Sequence, residues 1–214
     1  MTRVYNRCHG YIAAAVSGSA LPAEFLAALT ANESGGEVEA SCFEQETYAH
    51  LRAVASGRVA AFGSIGRQTL LAALQQSAGA PAQPLPGRLA ATEFSPEALR
   101  AISGMEDHEL RALATSWGLT QIMGYHMVER KAAIRQLLDP QFHYRFAVEL
   151  LTDFARRFRL RLSSDFESLF RCWNTGDPEG ETFDPDYVAR GMLRARIYRD
   201  LIESLRSGPG AGAE

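Results

Sequence analysis

The sequence is poor in the features that mark several specialised classes of protein. It has only three cysteines in 214 residues, and none has metal-type spacing, which argues against a disulfide framework and against a thiolate metal site. No apolar run approaches the roughly 18 residues that a membrane span requires. The net charge of −3 does not provide the basic surface that binding to nucleic-acid phosphates needs. We therefore expect a globular protein without a membrane span or a nucleic-acid partner.

Helix-forming residues are abundant. Ala and Leu number 33 and 23, whereas the β-branched Ile and Val together number 15. Ala and Leu are among the best helix formers, and β-branched residues favour strands. The composition predicts a mainly α fold with at most a short hairpin near residues 37–43. No composition shift marks a domain break, so we expect a single domain over residues 1–206 and a frayed tail over residues 207–214.

Proline, glycine and capping residues set the expected helix limits. Pro22 and the pair Gly35-Gly36 bound a helix over residues 24–32. Ser95-Pro96 begins another, and Asp184-Pro185 caps the last one. Further helices are predicted over residues 44–56, over residues 66–76 and along the stripe Phe142, Phe146, Leu150, Phe154 and Phe158. Residues 75–91 contain three prolines and two glycines, which predicts an inserted exposed loop.

Glu33 is the candidate catalytic residue that the pattern supports best. It lies four residues after Leu29 and eight after Phe25, so it continues an apolar helix face toward the interior or a cleft. It also falls in the last helical turn, where the macrodipole disfavours negative charge. Both effects favour the protonated carboxyl group that a general acid needs. The alternative is a helix-end glutamate that reaches solvent.

Two further segments place polar side chains among apolar ones. In residues 115–124, TSWGLTQIMG, two glycines bracket a short apolar segment, and Ser116, Thr120 and Gln121 are the polar groups. That arrangement is typical either of a sugar-binding groove or of a buried turn. Residues 172–176, CWNTG, follow a predicted helix, so Asn174 is expected as a C-cap or, less commonly, as a ligand for a substrate amide.

Taken in order, these segments resemble motifs of the lysozyme-like superfamily. Glu33-Ser34-Gly35 is similar to the E-S-G motif of bacterial lytic transglycosylases and phage-type N-acetylmuramidases. Ser116–Gly124 matches the muramidase string S-W-G-L-x-Q-I-M-G. Trp173-Asn174-Thr175-Gly176 resembles Y-N-x-G, with Trp in place of Tyr, and it is followed by Tyr187 near the start of the last helix. Phe43, Glu44, Tyr48 and Leu51 match a further muramidase segment.

The resemblance implies a goose-type or lytic-transglycosylase-like helical domain that cleaves the MurNAc–GlcNAc β-1,4 bond of peptidoglycan. Glu33 would protonate the leaving oxygen. Glu44 would be the second carboxylate, with Glu46 behind it, unless both are structural. The residues implied in substrate binding are Ser116, Gln121, Met123, Tyr125, Asn174 and Tyr187. We expect a monomer that binds glycan strands and needs no cofactor and no metal.

Several alternatives stay open at this level. The F-E segment favours hydrolysis, but a lytic transglycosylase could form a 1,6-anhydro product with Glu33 alone. A chitinase-like enzyme and a catalytically silent module that binds glycan or protein are further alternatives. The apolar stretch over residues 11–16 is too short for a convincing signal peptide, so the route to the wall, by phage-type release or by secretion, is also open.

Overall fold

The structure is a computed structural model that describes residues 1–56 and 95–207, and these residues are mainly helical. The α-helices in these ranges are α1 Thr2–Val16, α2 Ala23–Glu33, α3 Gln45–Ala55, α4 Pro96–Ser103, α5 Asp107–Leu113, α6 His126–Arg130, α7 Pro140–Phe158, α8 Phe166–Thr175 and α9 Tyr187–Arg206. The strands there are β1 Ser41–Phe43, β2 Thr115–Trp117 and β3 Ile122–Met123. The mainly α fold class is therefore confirmed. The predicted helix over residues 66–76, the loop over residues 75–91 and all but the first residue of the tail lie outside the described residues.

The described chain divides into two compact units. The first comprises Met1–Ala40, Gly118–Thr120 and the described part of Asp139–Glu214. The second comprises the described part of Ser41–Trp117, together with Gln121–Leu138. Each unit combines segments that are distant in sequence, which the composition along the chain does not indicate. The single domain expected over residues 1–206 stays a prediction.

In the first unit, α2 is buried on almost all sides and forms the centre of the core. Residues 25–30 are all buried, and α1 and α9 both pack against α2. The ring of Phe25 lies 4.5 Å from that of Phe170 in α8, measured between centroids. Inside the core, the hydroxyl of Thr30 donates a hydrogen bond to Leu26 O at 2.8 Å and forms a second one with Tyr144 Oη at 3.0 Å. A helix that is apolar all round is stable only in such a position.

Helix α7 confirms the predicted core helix but buries a different face. Of the five residues in the predicted stripe, only Phe146 is buried, and the other four are half-buried. The face that points inward carries Tyr144, Ala147, Leu151 and Ala155. The other four residues of the stripe therefore flank the buried face, and Phe146 belongs to it.

The start of α9 also differs from the prediction. The helix begins at Tyr187, and its N-cap residue, Asp186, makes no capping hydrogen bond through its side chain. Asp184 instead accepts a hydrogen bond from the backbone N–H of Asp186 at 2.9 Å, which forms a turn before the helix. The predicted cap at Asp184-Pro185 is therefore wrong by two residues, because the Asp side chain stabilises the turn and not the helix end.

The second unit contains a three-stranded antiparallel sheet in the order β1-β2-β3. Strand β1 pairs with β2, with Cys42 opposite Ser116, and β2 pairs with β3, with Ser116 opposite Met123. The hairpin expected near residues 37–43 is thus wrong. Only residues 41–43 form a strand, and their partner lies more than 70 residues away in sequence. Helices α4 and α5 pack against α3 beside this sheet.

Candidate active site around Glu33

Glu33 is the last residue of α2, and its side chain is half-buried. The helix stops there because Ser34 and Gly35 both donate their backbone N–H to Thr30 O, at 3.1 and 3.0 Å. Gly35 and Gly36 then adopt positive φ values of 64° and 88°, a conformation that favours glycine. The predicted helix stop at this glycine pair is confirmed. It leaves a carboxyl group at the end of a helix that is otherwise enclosed by protein.

Tyr187 donates a hydrogen bond from its hydroxyl to Glu33 Oε1. Tyr187 is buried, with 6% of its surface exposed, and its ring meets the ring of Phe170 edge to face at 6.1 Å. A neutral carboxyl group accepts through its carbonyl oxygen and donates through its hydroxyl oxygen. In the protonated form of Glu33, the hydrogen bond from Tyr187 to Oε1 leaves Oε2 as the position for the proton.

Residues 118–120, which we call the 118–120 segment, are tied to the residue that follows Glu33. Ser34 Oγ donates to Leu119 O at 2.7 Å. The Gly118 N–H donates to Ala40 O at 2.7 Å. This segment belongs to the T-S-W-G-L-T-Q-I-M-G string, so Ser34 joins that string to the Glu33-Ser34-Gly35 segment.

Two side chains hold Thr120, at the end of the 118–120 segment. The Thr120 N–H donates to Nε2 of the fully buried His143 at 2.9 Å. Trp173 Nε1 donates to Thr120 O at 2.9 Å. The sequence offered no signal for His143, whose role depends on a contact 23 residues away. The indole N–H of Trp173 thus supplies a hydrogen-bond donor at the position before Asn174.

Asn174 lies inside α8, not at its end. The helix continues to Thr175, and Gly176, at φ 76°, is the C-cap residue. The expectation of Asn174 as a C-cap is therefore wrong. Its Oδ1 atom is buried and has no hydrogen-bond partner within the described part of the chain. Such an oxygen costs about 1–3 kcal/mol while it is unsatisfied.

The other predicted site residues lie in the second unit. Glu44 is half-buried and directly precedes α3, and its N–H donates to Ala114 O at 2.8 Å. Ser116 Oγ donates to Gln121 Oε1 at 2.8 Å, and Gln121 has a left-handed φ of 56°. Met123 is the cross-strand partner of Ser116.

Tyr125 also lies in the second unit, and its N–H donates to Leu113 O at 2.9 Å. The predicted site residues therefore form two groups in the structure. In one group, Glu33 bonds to Tyr187; in the other, Ser116 bonds to Gln121 beside Met123. Glu33 and Glu44 belong to different units.

The three cysteines are free thiols, so Cys42 and Cys172 do not form a disulfide. Burial raises the pKa of Cys172 to about 12 and also raises the pKa of Cys8, which makes both thiols unreactive near neutral pH. Within residues 1–56 and 95–207, no group of His, Cys, Asp and Glu side chains could hold a metal ion. None of the helices described there combines the length and the apolar character that crossing a membrane requires.

Comparison of the chain with protein-family models, with curated proteins and with solved structures found no match. The function is therefore argued from the motifs and from the geometry around Glu33.

Proposed function

We propose that the protein is a peptidoglycan-cleaving glycosidase of the lysozyme-like type, with Glu33 as its general acid. The hydrogen bond from Tyr187 to Glu33 is the observation that carries this proposal. A general acid must present one oxygen in a fixed direction to the leaving group. The end of an enclosed helix together with a buried tyrosine donor supplies that orientation for the carboxyl group of Glu33.

In this mechanism the proton on Glu33 Oε2 passes to the glycosidic oxygen as the bond from that oxygen to C1 of MurNAc breaks. Positive charge then develops on C1 and the ring oxygen. In hydrolysis a water attacks C1 and its proton goes to a carboxylate, for which Glu44 is our candidate and Glu46 the alternative. In the lytic reaction the 6-hydroxyl of the same MurNAc attacks C1 and closes a 1,6-anhydro ring, and its proton returns to the carboxylate that Glu33 has become.

Asn174 supports a glycan as the substrate. The sugars of peptidoglycan carry acetamido groups whose N–H is a hydrogen-bond donor. The buried Oδ1 of Asn174 is an acceptor without a partner in the described part of the chain, and it lies in the residue after Trp173, which is bonded to the 118–120 segment. An acetamido N–H would satisfy that oxygen.

Wall lysis by a Glu33→Gln variant tests the proposal. Gln has nearly the same shape as Glu but carries no transferable proton, and loss of a general acid lowers the rate about 10²–10⁴-fold. Glu39→Gln is the matched control, because Glu39 is an exposed carboxylate six residues further along the chain. Clearing of a wall suspension by Glu33→Gln within tenfold of the parent rate, with Glu39→Gln unchanged, would remove Glu33 from this role.

The products separate the two outcomes of the reaction. We favour hydrolysis because the F-E segment contains Glu44. Mass spectrometry of the digested wall should then show fragments with a reducing-end MurNAc, one water heavier than anhydro fragments. A purely anhydro set would assign the lytic reaction, and Glu44→Gln would then retain most of its activity.

A catalytically silent binding module is the alternative from another class, and the buried acceptor on Asn174 is compatible with it. The two are distinguished by incubating the parent protein with purified wall and with chitin oligomers. Co-sedimentation with wall without any released fragments would indicate binding alone. Release of fragments from chitin but not from wall would indicate the chitinase-like enzyme.

A further inference from the structure

Arg194 makes contacts that set it apart from the neighbouring arginines of α9. It is half-buried, and its Nη1 atom donates to Ala31 O at 2.8 Å and to Asn32 Oδ1 at 2.7 Å. Ala31 O is one of the last carbonyl groups of α2, which lack partners within a helix, and a cation there also opposes the negative end of the dipole. Arg196 and Arg199 are exposed. Arg194 therefore binds the end of α2, whereas Arg196 and Arg199 lie on the solvent-exposed face of α9.

The side chain of Asn32 links Arg194 to Tyr187. Its Oδ1 accepts from Arg194, and its Nδ2 donates to the backbone oxygen of Tyr187 at 3.0 Å. Tyr187 and Arg194 are seven residues apart in α9, which places them on one face of that helix, two turns apart. Both partners of Asn32 therefore lie on the face of α9 that meets the last turn of α2.

The resulting path runs from Arg194 through Asn32 to the backbone of Tyr187, and from the hydroxyl of Tyr187 to Glu33. Each link joins the last turn of α2 to α9, so the end of α2 cannot shift along α9 without breaking them. We propose that Asn32 and Arg194 are positioning residues that hold Tyr187 against Glu33. Their part in catalysis rests on the proposed function, whereas the geometry that they impose on Glu33 does not.

A general acid that moves by about 1 Å loses up to ~10²-fold in rate. Neither Asn32 nor Arg194 is proposed to touch the glycan, so removing one of them lowers kcat and leaves KM unchanged. Arg194→Met should lower kcat about tenfold to a hundredfold. Arg194→Lys should recover most of this loss, because both hydrogen bonds leave one nitrogen atom and an ammonium group can donate both.

A double-mutant cycle tests whether Arg194 acts through Tyr187. In a protein that already carries Tyr187→Phe, adding Arg194→Met should lower kcat by a further factor of less than about two. The hydrogen bond from Tyr187 to Glu33, which Arg194 is proposed to hold in place, is already absent there. Arg196→Met is the matched control, because Arg196 is exposed on the same helix, and it should match the parent. Fully additive losses, or a parent-like kcat for Arg194→Met, would overturn the proposal.

A measurement without substrate separates this inference from the proposed function. The ¹³C resonance of the Glu33 carboxyl carbon should move in Tyr187→Phe, and in the same direction in Arg194→Met. Asn32→Leu is a variant of similar size that removes both bonds of the amide and adds no charge beside Glu33, so it should show the same movement. If the parent protein does not cleave wall, the proposed function is wrong. The Glu33 resonance still shows whether Asn32 and Arg194 hold Tyr187 against Glu33. An unmoved Glu33 resonance in Arg194→Met and Asn32→Leu would overturn the inference.

Discussion

Tyr187 and Glu33 are joined by a hydrogen bond across 154 residues of sequence. Tyr187 is the first residue of α9, and Glu33 is the last residue of α2. Two helix ends therefore meet at one carboxyl group. The orientation of that group depends on the packing of the two helices and not on either helix alone.

The first prediction concerns the hydroxyl of Tyr187. Tyr187→Phe retains the ring against Phe170 and removes the donor to Glu33, so we expect kcat for wall cleavage to fall about tenfold to a hundredfold. That range corresponds to a hydrogen bond worth ~1–3 kcal/mol. Tyr198→Phe is the control, because its hydroxyl bonds to His9 Nδ1, at 2.9 Å, and not to Glu33. Equal rates for the two variants would contradict the assigned role of Tyr187.

The second prediction uses two glycines within helices. A Cβ atom added at Gly191 would lie 2.6 Å from Cζ of Phe170, the ring that supports Tyr187. Gly191→Ala should therefore destabilise the protein by about 1–3 kcal/mol and also lower activity. At Gly10 an added Cβ atom meets nothing within 4 Å. Gly10→Ala should stabilise the protein by about 0.5–1 kcal/mol, because alanine favours a helix.

Urea denaturation of both glycine variants measures these free energies of unfolding. If both variants changed the free energy of unfolding in the same direction, the close approach of Phe170 to Gly191 would not be the cause of the effect at Gly191.

The third prediction concerns Asn174. Because its Oδ1 atom is buried and unpartnered in the described chain, Asn174→Leu should leave the melting temperature unchanged or raise it. The same variant should lose wall cleavage, since the acceptor for the acetamido group is gone. Asn6 is exposed on α1, so Asn6→Leu serves as a control that retains activity. A large drop in melting temperature for Asn174→Leu would show that the amide is structural instead.

The fourth prediction is a dependence of stability on pH. His50 is 1% exposed, and burial lowers its pKa from 6.5 to about 4. As the pH falls from about 6.5 to 4, the unfolded chain takes up this proton and the folded chain does not. The free energy of unfolding should therefore fall as the pH falls through that window, by up to ~3 kcal/mol from this one group. Above pH 7 the titration of His50 should not affect the free energy of unfolding.

Urea denaturation at pH 7 and pH 4.5 tests the role of His50. The loss of stability between these pH values should be smaller in His50→Leu than in the parent. His108 is exposed, so His108→Leu should retain the full loss. Identical losses in all three proteins would assign the acid sensitivity to other groups.

The features that could be predicted from the sequence depend on neighbouring residues. Ser95 caps α4 by accepting from the N–H of Ala98 at 3.1 Å, as the pair Ser95-Pro96 predicts. Gly35 and Gly36 end α2 because they adopt positive φ values at little steric cost. Glu33 is placed on the apolar face of α2 by helical periodicity. Each of these signals acts within about one helical turn, so the local sequence contains it completely.

Contacts between distant segments were decided only by the tertiary structure. Strand β1 pairs with β2 instead of forming a local hairpin, α7 buries Tyr144 but only Phe146 of its five-residue stripe, and Arg194 binds the end of α2. Periodicity identifies an apolar or polar face, but it does not identify the partner that covers that face. The partner depends on how every element packs at once. For that reason the sequence alone identified Glu33 as a candidate acid, and only the packing of α2 against α9 brought Tyr187 to Glu33 and Arg194 to Asn32.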